Sequence, residues 1–300
     1  MSEHLTNHFR AITLSDKSWM DRCRGEEASA MTVLSFPAVF TWQSSFGLTV
    51  AGDDSFYVVK SEADEGYYYP VGAQDACRSC VLSLLNTSGR LKFLYVPERE
   101  LEWLESLGFE ISCEPDTSEY VYSSRSLALL DNKAGTNYRV KVRHFSRDNH
   151  WSSRAFSFPQ DEDLLRQRIS EWETSLSSPF PSDEGPARHS HSSDRLALLA
   201  CAEDPAAIGL SGIYIETDTG DWAFLLGYRS TPQIYDMSIV KYSPGISRNA
   251  VPVCICETAK LVCSEYPYIN LEDDLGDPGL RNMKKLYHPL YLLDSYSACI

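Results

Sequence analysis

The amino-acid sequence predicts a mixed α/β (α+β) protein in which mostly antiparallel sheets are layered with helices. In the first half, apolar strand-like runs alternate with amphipathic helix-like runs, an order that favours a sheet covered by helices. In the second half, three strand-like segments follow one another with short turns, which is typical of an antiparallel meander. A chain of 300 residues is long enough for two domains.

Turn-forming Gly, Pro and acidic residues separate the predicted elements of the first half. These are a helix over Asp16–Ala28, strands over Leu48–Ala51, Phe56–Lys60 and Tyr67–Tyr69, a helix over Asp75–Leu85, a strand over Leu91–Val96, a helix after Pro97 and a strand over Phe109–Ser112. The helix over Asp75–Leu85 is predicted because Cys77, Val81 and Leu84 recur at helical spacing.

The second half contains helices at both ends and strands between them. Its predicted elements are a helix over Asp161–Ser175, a surface loop over Ser177–Ser193, a helix capped by Asp194, strands over Ala207–Ile215, Trp222–Tyr228 and Gln233–Val240, a helix over Asn249–Cys263 and a last helix opening at Asp277-Pro278. Pro252 fits only in the first turn of its helix. We place the domain boundary near residue 150, giving domains 1–150 and 151–300.

Charge and hydropathy restrict the kind of protein. A net charge of −15 argues against nucleic-acid binding over the whole surface. The longest apolar runs are about ten residues, well below the roughly 20 that cross a bilayer. The Met1–Arg10 segment lacks the apolar stretch of a signal peptide. We therefore expect a cytoplasmic protein with no integral membrane segment and with its nine cysteines reduced.

No metal site is predicted. Cys77 and Cys80 form a C-x-x-C inside a predicted helix, but a second such pair and suitably spaced histidines are lacking. Phosphate-loop, nucleophile-elbow and zinc-protease motifs are also absent from the sequence.

A basic stretch from Arg125 to Arg154 contrasts with the acidic chain, because it holds seven basic residues and only two acidic ones. It includes Lys133, Arg139, Lys141 and Arg143. Such a cluster attracts phosphate groups, although an ordinary solvated face is the commoner explanation across proteins. On a strand the last three cations would share one side, whereas on a helix they would spread over about 200°.

The segment before and within the last helix carries a second charge pattern. Its charged residues are Glu272, Asp273, Asp274, Asp277, Arg281, Lys284 and Lys285. The helix dipole explains part of this order but does not require three consecutive acids outside the helix. Arg281 and Lys284 lie one turn apart and face the same way. We predict that the carboxylates and these two cations line one solvent-reachable hollow for a charged donor.

This last segment, YINLEDDLGDPGLRNMKKLYHP from Tyr268 to Pro289, resembles the C-terminal signature of the family related to the catalytic domain of bacterial phosphatidylglycerol lysyltransferases. The family pattern runs roughly Y-I-N-x-E-x-D-L-G-x-x-G-L-R-x-x-K-x-x-Y-x-P. It is met by Tyr268, Ile269, Asn270, Glu272, Asp274, Leu275, Gly276, Gly279, Leu280, Arg281, Lys284, Tyr287 and Pro289. Phe40–Trp42, Tyr67–Gly72, Glu119–Tyr122 and Leu130–Phe145 are similar to further family segments, so the resemblance covers the whole chain.

The resemblance implies two tandem GNAT-type acyltransferase domains, with the active site mainly in the C-terminal one. Family members joined to membrane domains move an aminoacyl group from aminoacyl-tRNA to a lipid hydroxyl. For this chain it implies an acyltransferase that takes an aminoacyl group from charged tRNA and gives it to an amine or hydroxyl of a small molecule or lipid headgroup. No cofactor is required, and the oligomeric state stays open.

Within this reading we assign roles by chemistry. Arg281 and Lys284 stabilise the oxyanion and the donor phosphates, whereas Asp273 or Asp274 holds an α-ammonium group or acts as general base. Asn270 orients the carbonyl. Glu272, Tyr287, Lys241 and Arg248 complete the substrate-binding set, the last two as phosphate ligands. The stretch Lys133, Arg139, Lys141 and Arg143 contacts the nucleic-acid backbone.

Departures from the family pattern keep two alternatives open. Gly135 and Val140 stand where an aromatic residue and Asn are usual, and Ser243–Ala250 lacks the Gly-rich loop that holds the acyl-CoA pyrophosphate. The first alternative is a non-catalytic binding module, which a filled site with Asp273 or Asp274 locked to Arg281 would favour. The second is an acyl-CoA-dependent N-acyltransferase, which the missing loop disfavours.

Overall fold

Thirteen strands form two sheets in the computed structural model, which describes residues 8–25, 31–87, 90–176 and 191–300. The strands are β1 (Leu48–Asp53), β2 (Phe56–Ser61), β3 (Gly66–Gly72), β4 (Lys92–Leu94), β5 (Glu110–Cys113), β6 (Glu119–Ser123), β7 (Trp151–Ala155), β8 (Leu210–Thr217), β9 (Trp222–Arg229), β10 (Ile234–Tyr242), β11 (Tyr268–Asn270), β12 (Tyr291–Leu293) and β13 (Tyr296–Cys299). The α-helices of these residues are α1 (Lys17–Arg24), α2 (Phe36–Phe46), α3 (Gln74–Thr87), α4 (Leu101–Ser106), α5 (Ser124–Leu129), α6 (Thr136–Asp148), α7 (Glu162–Leu176), α8 (His191–Cys201), α9 (Pro205–Ile208), α10 (Ala250–Val262) and α11 (Pro278–Leu286).

The first compact unit runs to Ser118 and also contains most of α8 and the C-terminal residues Asp294–Ile300. Its six strands have the order β1-β2-β3-β4-β13-β5, so the last strand of the chain is inserted between β4 and β5. Antiparallel pairing joins β1 to β2 and β2 to β3. Helix α3 covers this sheet and buries Val81 and Leu84 in its core.

The second compact unit runs from Glu119 through α7 and resumes at Cys201–Leu293. Its seven strands have the order β12-β6-β11-β10-β9-β8-β7. The predicted meander is confirmed, because β8, β9 and β10 pair antiparallel in sequence order. Helix α10 is almost wholly apolar and packs its Val253 and Cys254 into the core of this unit.

The compact units divide the chain at residue 118 rather than near residue 150. The reason is pairing at long sequence separation: β6 forms antiparallel ladders with β11 and β12, which are strands of the second half. Helices α5 and α6 follow β6 into the same core. The basic stretch therefore belongs to the same unit as the C-terminal signature.

Several predicted boundaries change for local reasons. The first meander strand begins at Leu210, because Pro205–Ile208 forms a short helix whose cap Asp204 accepts the Ala207 N–H at 2.9 Å. Helix α8 begins at His191, so Asp194 lies in its first turn and not at its cap. Of the loop predicted over Ser177–Ser193, residues 177–190 lie outside the part of the chain that the structure describes.

Gly135 is explained by the contact between the start of α6 and the end of α11. A Cβ atom at this position would lie 1.8 Å from the carbonyl oxygen of Leu286. The Gly135 N–H donates to the Tyr287 carbonyl at 3.2 Å, so the two backbones are held together. Any side chain would therefore have to push the two helices apart.

We expect Gly135→Ala to lower the free energy of unfolding by about 1–3 kcal/mol, the usual cost of an overpacked contact. Gly279→Ala is the matched control on α11, where the added Cβ would lie 3.1 Å from Oδ1 of the capping residue Asp277 and would meet no backbone atom. Equal stability of the two variants in urea unfolding would contradict this account of Gly135.

Candidate active site

Strands β10 and β11 create the centre of the site because they run parallel for only three residue pairs, ending at Asp236 opposite Asn270. Beyond that pair β11 ends, whereas β10 continues to Tyr242. The pairing of β10 with β9 is interrupted between Met237 and Ile239, so Ser238 is an extra residue in a β-bulge. A bulge re-aims the side chain at that point of the strand.

A cluster of buried carboxyl groups lies at this end of the strands. Asp236 is 0% exposed, and Glu119 on β6 is 2% exposed. Asn270 Nδ2 donates to Glu119 Oε2 at 2.5 Å. Within the described residues, neither carboxyl oxygen of Asp236 has a hydrogen-bond partner of ordinary geometry. Burial, followed by the like charges of Glu272 and Glu119, raises the pKa of Asp236 well above its ordinary value.

Glu272 begins the turn that follows β11 and is held in a left-handed conformation with φ +58°. Its backbone N–H donates to Asn270 Oδ1 at 2.7 Å. Burial raises the pKa of its carboxyl group to about 7, while a hydrogen bond from Ser238 and the charge of Lys284 act in the opposite direction. A non-glycine residue in this conformation stores strain, which is often found at functional sites.

Lys284 serves as the buried cation of this turn. It is 5% exposed, and its Nζ donates to the backbone carbonyl of Leu271 at 2.6 Å and to that of Asp273. Burial lowers the pKa of Lys284, and the nearby carboxyl groups of Asp273 and Glu272 partly offset this effect. The ammonium group therefore fixes the turn that carries Glu272.

Asp274 and Arg281 form a second clamp on the same turn. Asp274 is 0% exposed and receives two bonds from Arg281, at 2.9 Å from Nε and 2.7 Å from Nη2. It also accepts from the Tyr120 hydroxyl at 2.6 Å and from the Gly276 N–H at 3.1 Å. Burial alone would raise the pKa of Asp274, but these hydrogen bonds, led by that of Arg281, hold it below its ordinary value.

The predicted hollow therefore differs from the observed arrangement. The side chains of Asp274 and Lys284 are buried and bonded within the protein, whereas Asp273 and Glu272 are partly exposed. These residues do lie on and beside one turn. The Lys284 ammonium group, however, donates to the Leu271 and Asp273 carbonyls, and the Asp274 carboxylate accepts from Tyr120, so both are engaged within the protein. Glu272, a predicted member of the substrate-binding set, is a partly exposed residue whose carboxyl group lies inside the turn.

In the basic stretch, Lys133 lies on the loop before α6, and Arg139, Lys141 and Arg143 lie on α6 itself. These last three cations therefore spread around a helix and do not share one side of a strand. Lys133 and Arg143 are exposed, and Lys141 is partly exposed. Arg139 donates to Asn132 Oδ1 at 3.2 Å and to Thr136 Oγ1 at 3.1 Å.

The remaining predicted ligands lie elsewhere in the second unit. Tyr287 is 0% exposed and packs against Tyr138 at 4.9 Å between ring centroids, so it belongs to the core rather than to a surface that a substrate reaches. Lys241 Nζ lies 4.8 Å from the centroid of the Trp172 ring. Arg248 is exposed in the segment before α10.

Sequence reasoning did not select Asp236, Ser238 or Glu119 as site residues. A signal existed for Asp236, because it is the charged residue inside the otherwise apolar run of β10 from Ile234 to Met237. Glu119 belongs to a segment whose family resemblance we noted, yet its contact with Asn270 joins residues 151 positions apart and is not visible in spacing. Ser238 can be recognised as a site residue only from the β-bulge, which the sequence does not reveal.

In the part of the chain that the structure describes, no group of three or more His, Cys, Asp or Glu side chains is arranged to hold a metal ion. Over the same part of the chain, none of the helices combines the length and the apolar composition that a membrane span needs.

The two sheets and their covering helices define a tandem GNAT-type fold, as the resemblance implied. The family model described as phosphatidylglycerol lysyltransferase, C-terminal, matches residues 28–299, and the chain belongs to this family. Family and fold together support an acyltransferase. Among curated proteins no sequence matches the chain.

Solved structures show the same architecture at low sequence identity. A conserved protein of unknown function from Bacteroides thetaiotaomicron has a TM-score of 0.82 and 24% identity, over 97% of this chain and 99% of that one. The C-terminal domain of a putative lysylphosphatidylglycerol synthetase from Agrobacterium fabrum has a TM-score of 0.67 and 13% identity, over 95% of this chain and 91% of that one. L-PGS from Bacillus licheniformis has a TM-score of 0.57 and 15% identity, over 85% of this chain and 86% of that one.

Proposed function

We propose that this protein is an aminoacyltransferase that moves an aminoacyl group from aminoacyl-tRNA to an amine or hydroxyl of a small molecule or lipid headgroup. The observation that carries the proposal is Glu272, a partly exposed residue. Burial of its carboxyl group raises the pKa to about 7, and its backbone is fixed in a left-handed turn. A base of near-neutral pKa is what acyl transfer from an activated ester requires, because it takes the acceptor's proton.

The proposed chemistry assigns one proton path. The acceptor nitrogen or oxygen forms a bond to the ester carbonyl carbon of the donor while its proton passes to Glu272. The bond between that carbon and the ribose oxygen then breaks, and Glu272 returns the proton to the departing ribose hydroxyl. Lys284 and Arg281 act through the turn: Lys284 bonds the carbonyls of Leu271 and Asp273, and Arg281 bonds Asp274.

The donor would be recognised by charge on α6. The helix lies in the same compact unit as Glu272 and carries Arg139, Lys141 and Arg143 on a chain of net charge −15. Positive groups concentrated on one element of an acidic protein contact the phosphate backbone without reading bases. This supports a tRNA donor over a free amino acid ester.

We expect Arg143→Ala to weaken binding of charged tRNA and to reduce the slope of log K against log salt by about 0.7–0.9, the value for one lost phosphate contact. Arg147→Ala is the matched control on the same helix, because Arg147 is already paired with Asp148 at 2.7 Å. Filter binding at several salt concentrations measures both slopes. An unchanged slope for Arg143→Ala, or an equal change in both variants, would remove α6 from the donor site.

The function itself is tested by offering the protein two donors, a mixture of tRNAs charged with labelled amino acids and a set of labelled acyl-CoAs, together with small amines and lipid vesicles as acceptors. Transfer from tRNA supports the proposal, and transfer from acyl-CoA alone would replace it by the N-acyltransferase alternative. The Asp274–Arg281 ion pair is the observation that favours a non-catalytic binding module. Binding of charged tRNA without transfer to any acceptor would establish that module instead.

A further inference from the structure

Asp236 is a fully buried carboxyl group that interacts with the proposed base, Glu272. Its backbone is paired on one side with Tyr228 of β9 and on the other with Asn270 of β11, and its side chain is 0% exposed. The carboxyl group of Glu272 and the hydroxyl of Tyr228 lie within reach of it. The interior therefore holds two carboxyl groups close enough to interact.

The charges around Asp236 do not offer it a counter-ion. Glu119 faces it from β6, Glu272 from the turn after β11, and Lys284 from α11. The ammonium group of Lys284 is engaged with the carbonyls of Leu271 and Asp273, and the Asn270 amide is engaged with Glu119.

The chemistry of this position allows few states. An ionised carboxylate without a hydrogen bond or a cation is strongly disfavoured in a protein interior. When two carboxyl groups share one site, the second ionisation is the costly one, so one group keeps its proton. Asp236 is the more deeply buried of the two, and Glu272 is the one that Ser238 and Lys284 favour as a carboxylate.

We propose that Asp236 stays protonated at neutral pH and donates a hydrogen bond to the Glu272 carboxylate, so that it orients this base and sets its strength. The inference rests on the proposed function only in naming Glu272 as the base. Asp236 is therefore a positioning residue: its proton stays in place while Glu272 accepts the acceptor's proton and passes it on.

Carbon-detected NMR of protein labelled at the Asp and Glu carboxyl carbons tests this in the full chain. Between about pH 5 and pH 8 we expect the Asp236 signal to stay at its protonated position while that of Glu272 titrates. Asp236→Asn keeps a donor and should leave the Glu272 midpoint nearly unchanged. Asp236→Leu removes the donor and should raise that midpoint by about one pH unit, a tenfold change in proton affinity.

A measurement on the unaltered protein makes the test independent of how the variants fold. A proton retained only in the folded state raises the unfolding equilibrium constant about tenfold per pH unit above the ordinary Asp pKa of about 4. Glu272 contributes the same rise only up to its pKa of about 7, so urea unfolding should show the rise continuing above pH 7 if Asp236 keeps its proton. An ionised Asp236 at pH 6, or a fall of the Glu272 midpoint in Asp236→Asn, would overturn the proposal. A retained proton in a protein without transfer activity would instead contradict the proposed function alone.

Discussion

Replacement of Arg281 by alanine is expected to lower the free energy of unfolding by about 3 kcal/mol near neutral pH, the lower end of the cost of breaking a buried ion pair. The substitution leaves the Asp274 carboxylate buried without its counter-ion, because Asp274 is 0% exposed and Arg281 supplies two of its hydrogen bonds. The lower end applies because Arg281 keeps 33% of its side chain exposed, so water enters part of the vacated space.

The pH dependence of this loss has a definite sign. In the unaltered protein the pKa of Asp274 lies below its ordinary value, so the ion pair contributes stability above about pH 4 and loses it as pH falls further. Without Arg281, burial raises the pKa of Asp274, and the carboxyl group can take up a proton in the folded state. The deficit of Arg281→Ala is therefore largest at neutral pH and shrinks towards about pH 4.

Two controls separate the ion pair from general disruption of α11. Lys285→Ala alters an exposed cation on the same helix and should stay within about 0.5 kcal/mol of the unaltered protein. Tyr120→Phe removes a single hydrogen bond to Asp274 and should cost about 1 kcal/mol. Urea unfolding at several pH values measures all three. A pH-independent deficit in Arg281→Ala would show that lost packing, not the unpaired carboxylate, is responsible.

The helices of the site were predictable because their signals are local. Asp277 accepts the Leu280 N–H at 2.6 Å and caps α11, and Pro278 occupies the first helical position, as the sequence predicts. Pro252 lies in the first turn of α10 for the same reason. Such rules connect residues within one or two turns, so a single sequence contains all the information that they need.

The burial of the charged residues was not predictable from the same spacing. Asp274 becomes inaccessible because Tyr120 of β6, 154 residues earlier, donates to it. Lys284 turns inwards because the turn after β11 presents two carbonyl oxygens to it. Spacing placed Arg281 and Lys284 on one helix face, but it does not state whether that face meets water or a strand of the sheet. In the structure both cations bond to the turn that carries Glu272.

Glu272→Gln is expected to reduce the rate of aminoacyl transfer about 10²- to 10⁴-fold, the usual contribution of a positioned general base. The amide keeps the size of the side chain but cannot accept the acceptor's proton. In the unaltered protein the rate should rise with pH through about 7 as the Glu272 carboxyl group ionises, and this rise should be missing from the residual activity of the variant. Steady-state transfer from charged tRNA across this pH range measures both effects.

Glu272→Gln should also change the free energy of unfolding: the substitution that lowers the rate should raise the stability. The unfolded chain ionises Glu272 above about pH 4, but the folded protein does so only near 7, so the native carboxyl group costs stability that accumulates between these values. Glu272→Gln should therefore be as stable as the unaltered protein at about pH 4 and more stable at pH 8. Asp273→Asn, at the adjacent partly exposed residue, is the matched control. It removes a charge that raises the Glu272 pKa, so it should move the rise of rate to lower pH and keep the rate at high pH. Equal losses of rate in the two variants would show that the negative charge of the turn, and not Glu272 as a base, supports the reaction. A loss confined to Asp273→Asn would identify Asp273 as the base.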